Sequence, residues 1–338
     1  MTSPRIAVLG CGANGASIAA DLVRAGHDVT LIEQWPEHVE AMRRDGITVR
    51  MPQETQVTGV AVLNICEVAT LRHPFDIVFL LMKAYDTRWA AELIKPYLAE
   101  DGLLLGVQNG MSLADIQDIV GERRTMGCVI EITSAMFEPG IVERHSPWDR
   151  SWFAIGSTSD ETRHREEEVA GLLRAAGTVE VVDDIVATKW MKIVSNATTL
   201  VTTAILGLPM IEADAIPEMR EFMLGSGREA LAAGQAEGYA TLPIFGLKPA
   251  DLDGDVVETL LTTLLGGFVL PTSTTTILQD WGKGRRSEVG DINGNVLRLS
   301  REHGLAAPHN ERVCELARRI ELGELRPDPT NLELLLQT

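Results

Sequence analysis

Arg5-Ile6-Ala7-Val8-Leu9-Gly10-Cys11-Gly12-Ala13-Asn14-Gly15 is the stretch whose reading decides the fold. Ile6, Ala7, Val8 and Leu9 have strand character. They feed a turn with glycine at its first, third and sixth places, and an apolar-periodic run follows at once and stops at Gly26. Gly10 allows a tight turn, Gly12 lets backbone come close to a pyrophosphate, and Gly15 lets a helix lie against the strand. The N-terminus of that helix, with Ala13 and Asn14 in its first turn, offers unpaired N–H groups and a positive dipole end to phosphates. Many tight turns need such glycines and bind nothing, so context decides. Working outward, His27-Asp28-Val29-Thr30-Leu31-Ile32-Glu33 reads as a second strand. Glu33 stands at about the twenty-residue distance where dinucleotide folds place the carboxylate that holds a ribose.

The chain has 338 residues, which suits two domains, and its 45% hydrophobic and 23% charged residues describe a globular protein. A net charge of -18 argues against a nucleic-acid partner, since affinity there comes from lysine and arginine neutralising phosphates. The four cysteines, Cys11, Cys66, Cys128 and Cys314, show no metal-ligand spacing, so no metal is expected. They read as reduced thiols of a cytoplasmic protein, with Cys11 a small filler within the turn. No signal peptide is read ahead of the first strand. Residues 193–211 and 259–279 are free of charge, but Asn196, several threonines, Pro209 and Pro271 make them buried helices rather than membrane spans.

Beyond Glu33, residues 36–45 read as a helix with Pro36 in its first turn and Gly46 as its stop. Short β-prone pieces follow at 47–50 and 60–63. The unbroken apolar run at 77–82 suits a parallel strand covered on both faces, and it ends at Lys83. Residues 85–98 read as a helix, and 103–107 as the next buried strand, ending at Gln108-Asn109-Gly110. Such alternation indicates a doubly wound sheet, whose ligands lie beyond the carboxyl ends of its strands. Lys83 and Asn109 both fall at such ends; read alone, they suit equally a solvated loop lysine and an Asn-Gly turn. Further strands are expected at 128–133, 140–143 and 152–155, and a charged surface helix at 161–175. From Asp184 onward helices dominate. The expected architecture is therefore a Rossmann-type α/β dinucleotide-binding domain over 1–180 followed by an all-α domain over 181–338, with a poorly specified tail after Glu324.

In the second domain Lys192 and Asn196 form an i, i+4 pair on one helix face. A lysine heading an uncharged stretch suggests more than solvation, although a helix-start charge that snorkels to water is the plain alternative. Glu288, taken alone, reads as an exposed helix acid.

Taken together, these segments resemble the ketopantoate reductase family along nearly the whole chain. The resemblance rests on the glycine turn, Lys83-Ala84-Tyr85-Asp86-Thr87, Gln108-Asn109-Gly110-Met111, Trp190-Met191-Lys192 with Asn196, Leu278-Gln279-Asp280, and Glu288 through Gly294. It implies a Rossmann domain, then a helical domain, with the active site in the cleft between. It further implies that Lys192 is the general acid that protonates the substrate oxygen during hydride transfer. Glu288 would hold the substrate or product hydroxyl and help place Lys192. Asn109 and Lys83 would line the nicotinamide and substrate, Asn196 would orient the substrate, and Thr276 stands where the family has a serine that meets the carboxylate.

Two departures bear on the substrate. Leu200 replaces an asparagine one helical turn after Asn196, and Ser273 replaces another three residues before Thr276. Loss of those amides makes the pocket more apolar than one built for pantoate. A third departure bears on the cofactor: NADPH-dependent members resemble one another in a basic residue near the end of the second strand, where this chain has Glu33-Gln34-Trp35. A carboxylate accepts hydrogen bonds from a ribose diol and repels a 2′-phosphate, so NAD is expected to be preferred, with NADP admissible. The expected protein is a cytoplasmic NAD(P)-dependent dehydrogenase, admissible as a homodimer, acting on a 2-oxo acid and its 2-hydroxy acid or a related carbonyl/alcohol pair. An authentic 2-dehydropantoate 2-reductase of pantothenate biosynthesis and a non-catalytic nucleotide sensor are the competing readings.

Overall fold

The computed structural model describes residues 3–337. In the first part of the chain the elements run β1 (Arg5–Leu9), α1 (Ala13–Arg24), β2 (Asp28–Glu33), α2 (Pro36–Asp45), β3 (Ile47–Arg50), β4 (Thr55–Thr58) and β5 (Ala61–Asn64). They continue with β6 (Phe75–Leu80), α3 (Thr87–Ile94), β7 (Leu98–Gly106), α4 (Leu113–Val120), β8 (Thr125–Glu131), β9 (Ser134–Glu138) and β10 (Ile141–Arg144). β11 (Trp152–Ser157), α5 (Glu166–Leu173) and β12 (Thr178–Val181) complete this part.

An 8-stranded sheet has the order β12-β11-β8-β7-β6-β1-β2-β5. Every pair from β5 through β8 is parallel, and β11 turns antiparallel to β8. With β1 central and the chain stepping outward first to one side and then to the other, this is the doubly wound dinucleotide-binding order. Ile6, Val8, Leu31, Ile77, Phe79, Leu103 and Leu105 are buried in its core, as unbroken apolar strands of a covered sheet should be.

A second sheet of four strands, β4-β3-β10-β9, was not anticipated. β4 and β9 have polar or exposed residues and become strands by pairing with β3 and β10. The expected helix at 85–98 is shorter, because Pro96 has no N–H to continue it and the last turn tightens. The expected charged helix at 161–175 is shorter: a tighter turn over Arg163–Arg165 precedes α5, which ends at Leu173.

The described residues form two compact units that part between Val186 and Ala187. This lies a few residues beyond the expected place near 180, since Ile185 still packs on the sheet: a methyl group on Gly127 or Gly156 would strike its side chain.

The second unit is helical: α6 (Ile185–Leu206), α7 (Met210–Asp214), α8 (Pro217–Glu237), α9 (Val256–Gly267), α10 (Thr276–Gly282), α11 (Asn293–Glu302), α12 (Pro308–Glu321) and α13 (Leu332–Leu335). α6 starts two residues before the parting. The hydroxyls of Thr198, Thr199, Thr202 and Thr203 donate to carbonyls one turn back in α6. The uncharged stretch of α6 can thereby bury four hydroxyls, each with its hydrogen bond met. α8 crosses α6 closely: Ser226 Oγ donates to Ala197 O at 3.0 Å and Trp190 Nε1 to Ala230 O at 3.0 Å. Methyl groups at Gly227 and Gly234 would overlap Thr198 and the Trp190 indole.

The uncharged run 259–279 is two helices rather than one. α9 ends at Gly267, and Thr275 caps α10 by accepting from Leu278 N at 3.3 Å. Among the described residues no helix is long and apolar enough to cross a membrane. The tail after Glu324 is specified after all. Asp328 N and Asn331 Nδ2 donate to Ile205 O at 3.1 and 2.9 Å, and Leu335 is buried. A carbonyl in the last turn of α6 lacks an intrahelical donor, and the returning chain supplies two.

Candidate active site

In the first unit the carboxyl ends of the central strands gather the nucleotide-type residues at one sheet edge. Gly10, with φ at 95°, donates to Ile32 O at 2.9 Å, and a methyl group there would meet the Met82 backbone at 2.6 Å. Only glycine fits this φ and this approach. A methyl at Gly15 would overlap Gly10 O, so Gly15 lets α1 close on β1. At Gly12 the situation reverses, since a methyl there would meet nothing within 4 Å. Gly12 is the N-cap of α1, no side chain caps that end, and the first turn carries no acid. Uncapped amides facing open space suit a phosphate group, so the turn fits a dinucleotide. Asn14 accepts from Ser134 Oγ of β9 at 2.5 Å, which links the first turn of α1 to the unanticipated sheet.

Glu33 is 7% exposed and lies directly under this turn. Its Oε2 accepts from Cys11 N at 2.7 Å, and its Oε1 from Gln34 N and Trp35 N at 2.9 Å each. Two readings of the sequence, turn and acid, thus become one hydrogen-bonded unit. Cys11 itself is buried, and burial pushes its thiol well above the ordinary range, in keeping with a filler rather than a reactive group. His38 was not singled out from the sequence. It is buried, with Nε2 at 2.9 Å from Cys11 O and Nδ1 accepting from Gly140 N at 2.8 Å.

Lys83 and Asn109 follow β6 and β7. A second residue missed as a site residue, Gln108, joins their loops: its Nε2 donates to Thr87 Oγ1 at 2.7 Å and reaches Lys83 O at 3.4 Å, while its Oε1 accepts from Ser112 Oγ at 3.1 Å. A glutamine before the Asn-Gly turn was the available signal. Lys83 and Asn109 are both half-buried, and Gly110 after Asn109 has φ at 79°, as an Asn-Gly turn requires.

The second unit carries the remaining candidates. Lys192 is 8% exposed on α6, with Nζ 4.9 Å from the centre of the Phe245 ring. A buried cation against an aromatic face is not a snorkelling helix-start charge. Asn196, one turn on, is buried, and Leu200, a turn further, is half-buried on the same side of α6. Glu288 is 3% exposed in the turn that leads into α11, so it is neither exposed nor helical. Ser273 Oγ accepts from Leu270 N at 3.0 Å, closing the turn ahead of α10, and Thr276 is the first residue of that helix.

A six-strand parallel core with an open, uncapped glycine turn places the first unit among dinucleotide-binding domains. Family comparison carries this further. Residues 6–158 match the family model "Ketopantoate reductase PanE/ApbA" and residues 184–321 match its C-terminal counterpart. The 2-dehydropantoate 2-reductase of Pyrococcus horikoshii is 28% identical over 94% of this chain and 97% of its own. Among solved structures, a PanE/ApbA family ketopantoate reductase from Ralstonia eutropha superposes with a TM-score of 0.79 at 26% identity, covering 95% of this chain and 99% of that one. D-mandelate dehydrogenase, solved with NADH and anilino(oxo)acetate, has a TM-score of 0.83 at 20% identity over 94% of this chain and 99% of that one, a likeness of fold. The chain belongs to the ketopantoate reductase family and is an NAD(P)-dependent oxidoreductase acting on CH–OH groups.

Proposed function

We propose that this enzyme interconverts a 2-oxo acid and its 2-hydroxy acid, or a related carbonyl/alcohol pair, with a side chain more apolar than that of pantoate. The observation that carries the reading is the face of α6 on which buried Lys192 and Asn196 are followed by Leu200. An apolar side chain in line with a cation and an amide suits a substrate whose polar head is the reacting end. The fold-level likeness to D-mandelate dehydrogenase, whose name is that of an enzyme for an aromatic 2-hydroxy acid, leans the same way.

In the first unit Gly12, Ala13, Asn14 and Gly15 would hold the diphosphate of the nucleotide, Glu33 its ribose, and Lys83 and Asn109 its nicotinamide end. The bound nicotinamide supplies or takes up the hydride. Lys192 gives its ammonium proton to the carbonyl oxygen, where negative charge develops, and takes it back in the reverse direction. Glu288 accepts a hydrogen bond from the substrate hydroxyl and helps place Lys192. Asn196 orients the substrate, and Thr276 with Ser273 offers hydroxyls to its carboxylate.

NAD is proposed as the preferred form. A carboxylate has about four lone-pair sites, and three backbone N–H groups use three of Glu33's, leaving one for a ribose hydroxyl. The first basic residue after β2, Arg43, is already bonded to Glu40 and Glu67. A cytoplasmic setting is proposed on the four cysteines, all free.

The test is a panel of 2-oxo acids, from ketopantoate to bulkier and aromatic ones, followed at the nicotinamide absorbance with NADH and with NADPH. Higher kcat/KM for an apolar 2-oxo acid than for ketopantoate is expected. Preference for ketopantoate would return the protein to authentic 2-dehydropantoate 2-reductase, and binding without turnover of any substrate would leave a nucleotide sensor. Light scattering of the same preparation distinguishes monomer from homodimer.

A further inference from the structure

We propose that His38 is a positioning residue of the dinucleotide turn: its neutral ring fixes the Cys11–Gly12 peptide so that the Gly12 N–H faces the open side, where a nucleotide diphosphate would lie. The proposal rests on the nucleotide-binding reading of that turn and extends it to the helix α2 behind it. In a trans peptide the carbonyl oxygen and the following N–H point in opposite directions. Cys11 O is drawn toward His38 Nε2 at 2.9 Å, so the Gly12 N–H is directed away from α2. On Gly12 a methyl group would meet nothing within 4 Å. The preceding peptide is held as well, since Cys11 N donates to Glu33 Oε2 at 2.7 Å. Both backbone groups of Cys11 are therefore fixed from below, by β2 and by α2, and the turn is shaped before any ligand arrives.

The tautomer follows from the other ring nitrogen. Gly140 N, in the turn between β9 and β10, donates to His38 Nδ1 at 2.8 Å, so Nδ1 bears no proton and Nε2 carries the hydrogen given to Cys11 O. A doubly protonated ring would set N–H against the Gly140 N–H and lose that anchor. The groups around the ring are few in kind. Glu33 at the end of β2 favours the imidazolium, the Cys11 thiol in the turn is kept protonated by burial, Trp35 packs its ring 5.7 Å away, and the β9–β10 turn contributes the Gly140 amide. Burial prevails over Glu33 and holds His38 below its ordinary 6.5. Nucleotide affinity should thus be steady at and above pH 6.5 and decline only further into acid, as the pH falls through the lowered value.

The experiment is calorimetric titration of the full-length protein with NAD, which tolerates acid, between pH 8 and pH 5. Three proteins are compared: wild type, His38→Leu and His38→Gln. Glutamine offers one donor and one acceptor at nearly the spacing of the imidazole nitrogens and does not titrate. Wild type should weaken as the pH is lowered. His38→Leu should bind NAD about tenfold more weakly at pH 8, the effect of losing one buried hydrogen bond to the turn. His38→Gln should recover most of that affinity and lack the acid decline. Wild-type affinity in folded His38→Leu, or an acid decline retained in His38→Gln, would overturn the assignment. If His38→Leu does not fold, the His38→Gln profile decides alone. Failure of wild type to bind NAD at any pH would instead overturn the nucleotide reading, and the His38 role with it.

Discussion

Arg144 and Asp21 form an ion pair with only 2% and 8% of their side chains exposed, and it ties the end of β10 to the middle of α1. All five guanidinium N–H groups have acceptors: Ser146 O, Ser17 Oγ, Asp21 Oδ2, Ser151 Oγ and Ala176 O. The helix that begins at the glycine turn is thereby locked to the strand behind it. Arg144→Ala removes one of the two arginines that face buried Asp21, Arg24 staying on its Oδ1, and five hydrogen bonds with it, so a loss of about 2–3 kcal/mol in urea unfolding is expected. Arg144→Lys should recover less than half, because an ammonium cannot match the planar fork. A loss under 1 kcal/mol for the alanine variant would show that the pair is not structural.

Lys192→Ala should lower kcat by about 10²–10⁴ while leaving NAD affinity unchanged in titration, as removal of a general acid does. Unchanged turnover would reject Lys192 as the proton donor. Equal loss of affinity and turnover would point to damage in the nucleotide turn rather than in chemistry.

Glu33→Ala should shift kcat/KM from NADH toward NADPH by about tenfold, the effect of losing one hydrogen bond to a charged acceptor together with its repulsion of a 2′-phosphate. Three backbone N–H groups also lose their acceptor, so the melting temperature should fall. The ratio of the two cofactors, measured on one preparation, separates specificity from stability. An unaltered ratio would remove Glu33 from cofactor choice.

Glu229, reaching from α8, holds the start of α12: it accepts from His309 N, Asn310 N and Asn310 Nδ2 at 2.9, 3.0 and 2.8 Å. Burial pushes this carboxyl upward, but the bonds from His309 and Asn310 together outweigh it and hold Glu229 below its ordinary 4.5. A group depressed on folding contributes stability that is complete above its ordinary value and is lost as the pH falls through its folded one. Glu229→Ala should therefore destabilise by about 2 kcal/mol at pH 7, and the gap to wild type should shrink below pH 4.5. A gap that stays constant down to pH 3 would contradict the assignment.

Much of the fold was legible where it is written locally. The glycine turn, α1, β2 and Glu33 follow one another within a single βαβ unit, and the apolar runs at β6 and β7 read directly as buried parallel strands. β4 and β9 were not legible: each is a polar or exposed strand without a clear apolar alternation, held by a neighbouring strand, and the two hairpins become one sheet only where β3 meets β10, about ninety residues away. His38 sits in a helix rich in charge, and its burial depends on Gly140, a hundred residues away. The ordered tail was hidden for the same reason, its anchor being a carbonyl of α6. Lys192 and Glu288 were singled out through the resemblance to a family; from its own neighbours, Glu288 gives no sign of a buried turn.

The glycines of α8 bear on engineering. Replacing helical glycine by alanine ordinarily gains up to about 1 kcal/mol and is a common route to thermostable variants. At Gly225, Gly227 and Gly234 the added carbon would collide with His309, Thr198 and Trp190, so a program guided by propensity alone would prise α8 from its neighbours. Gly171 in α5 is the better target: a methyl group there meets nothing within 4 Å, and Gly171→Ala should raise the melting temperature.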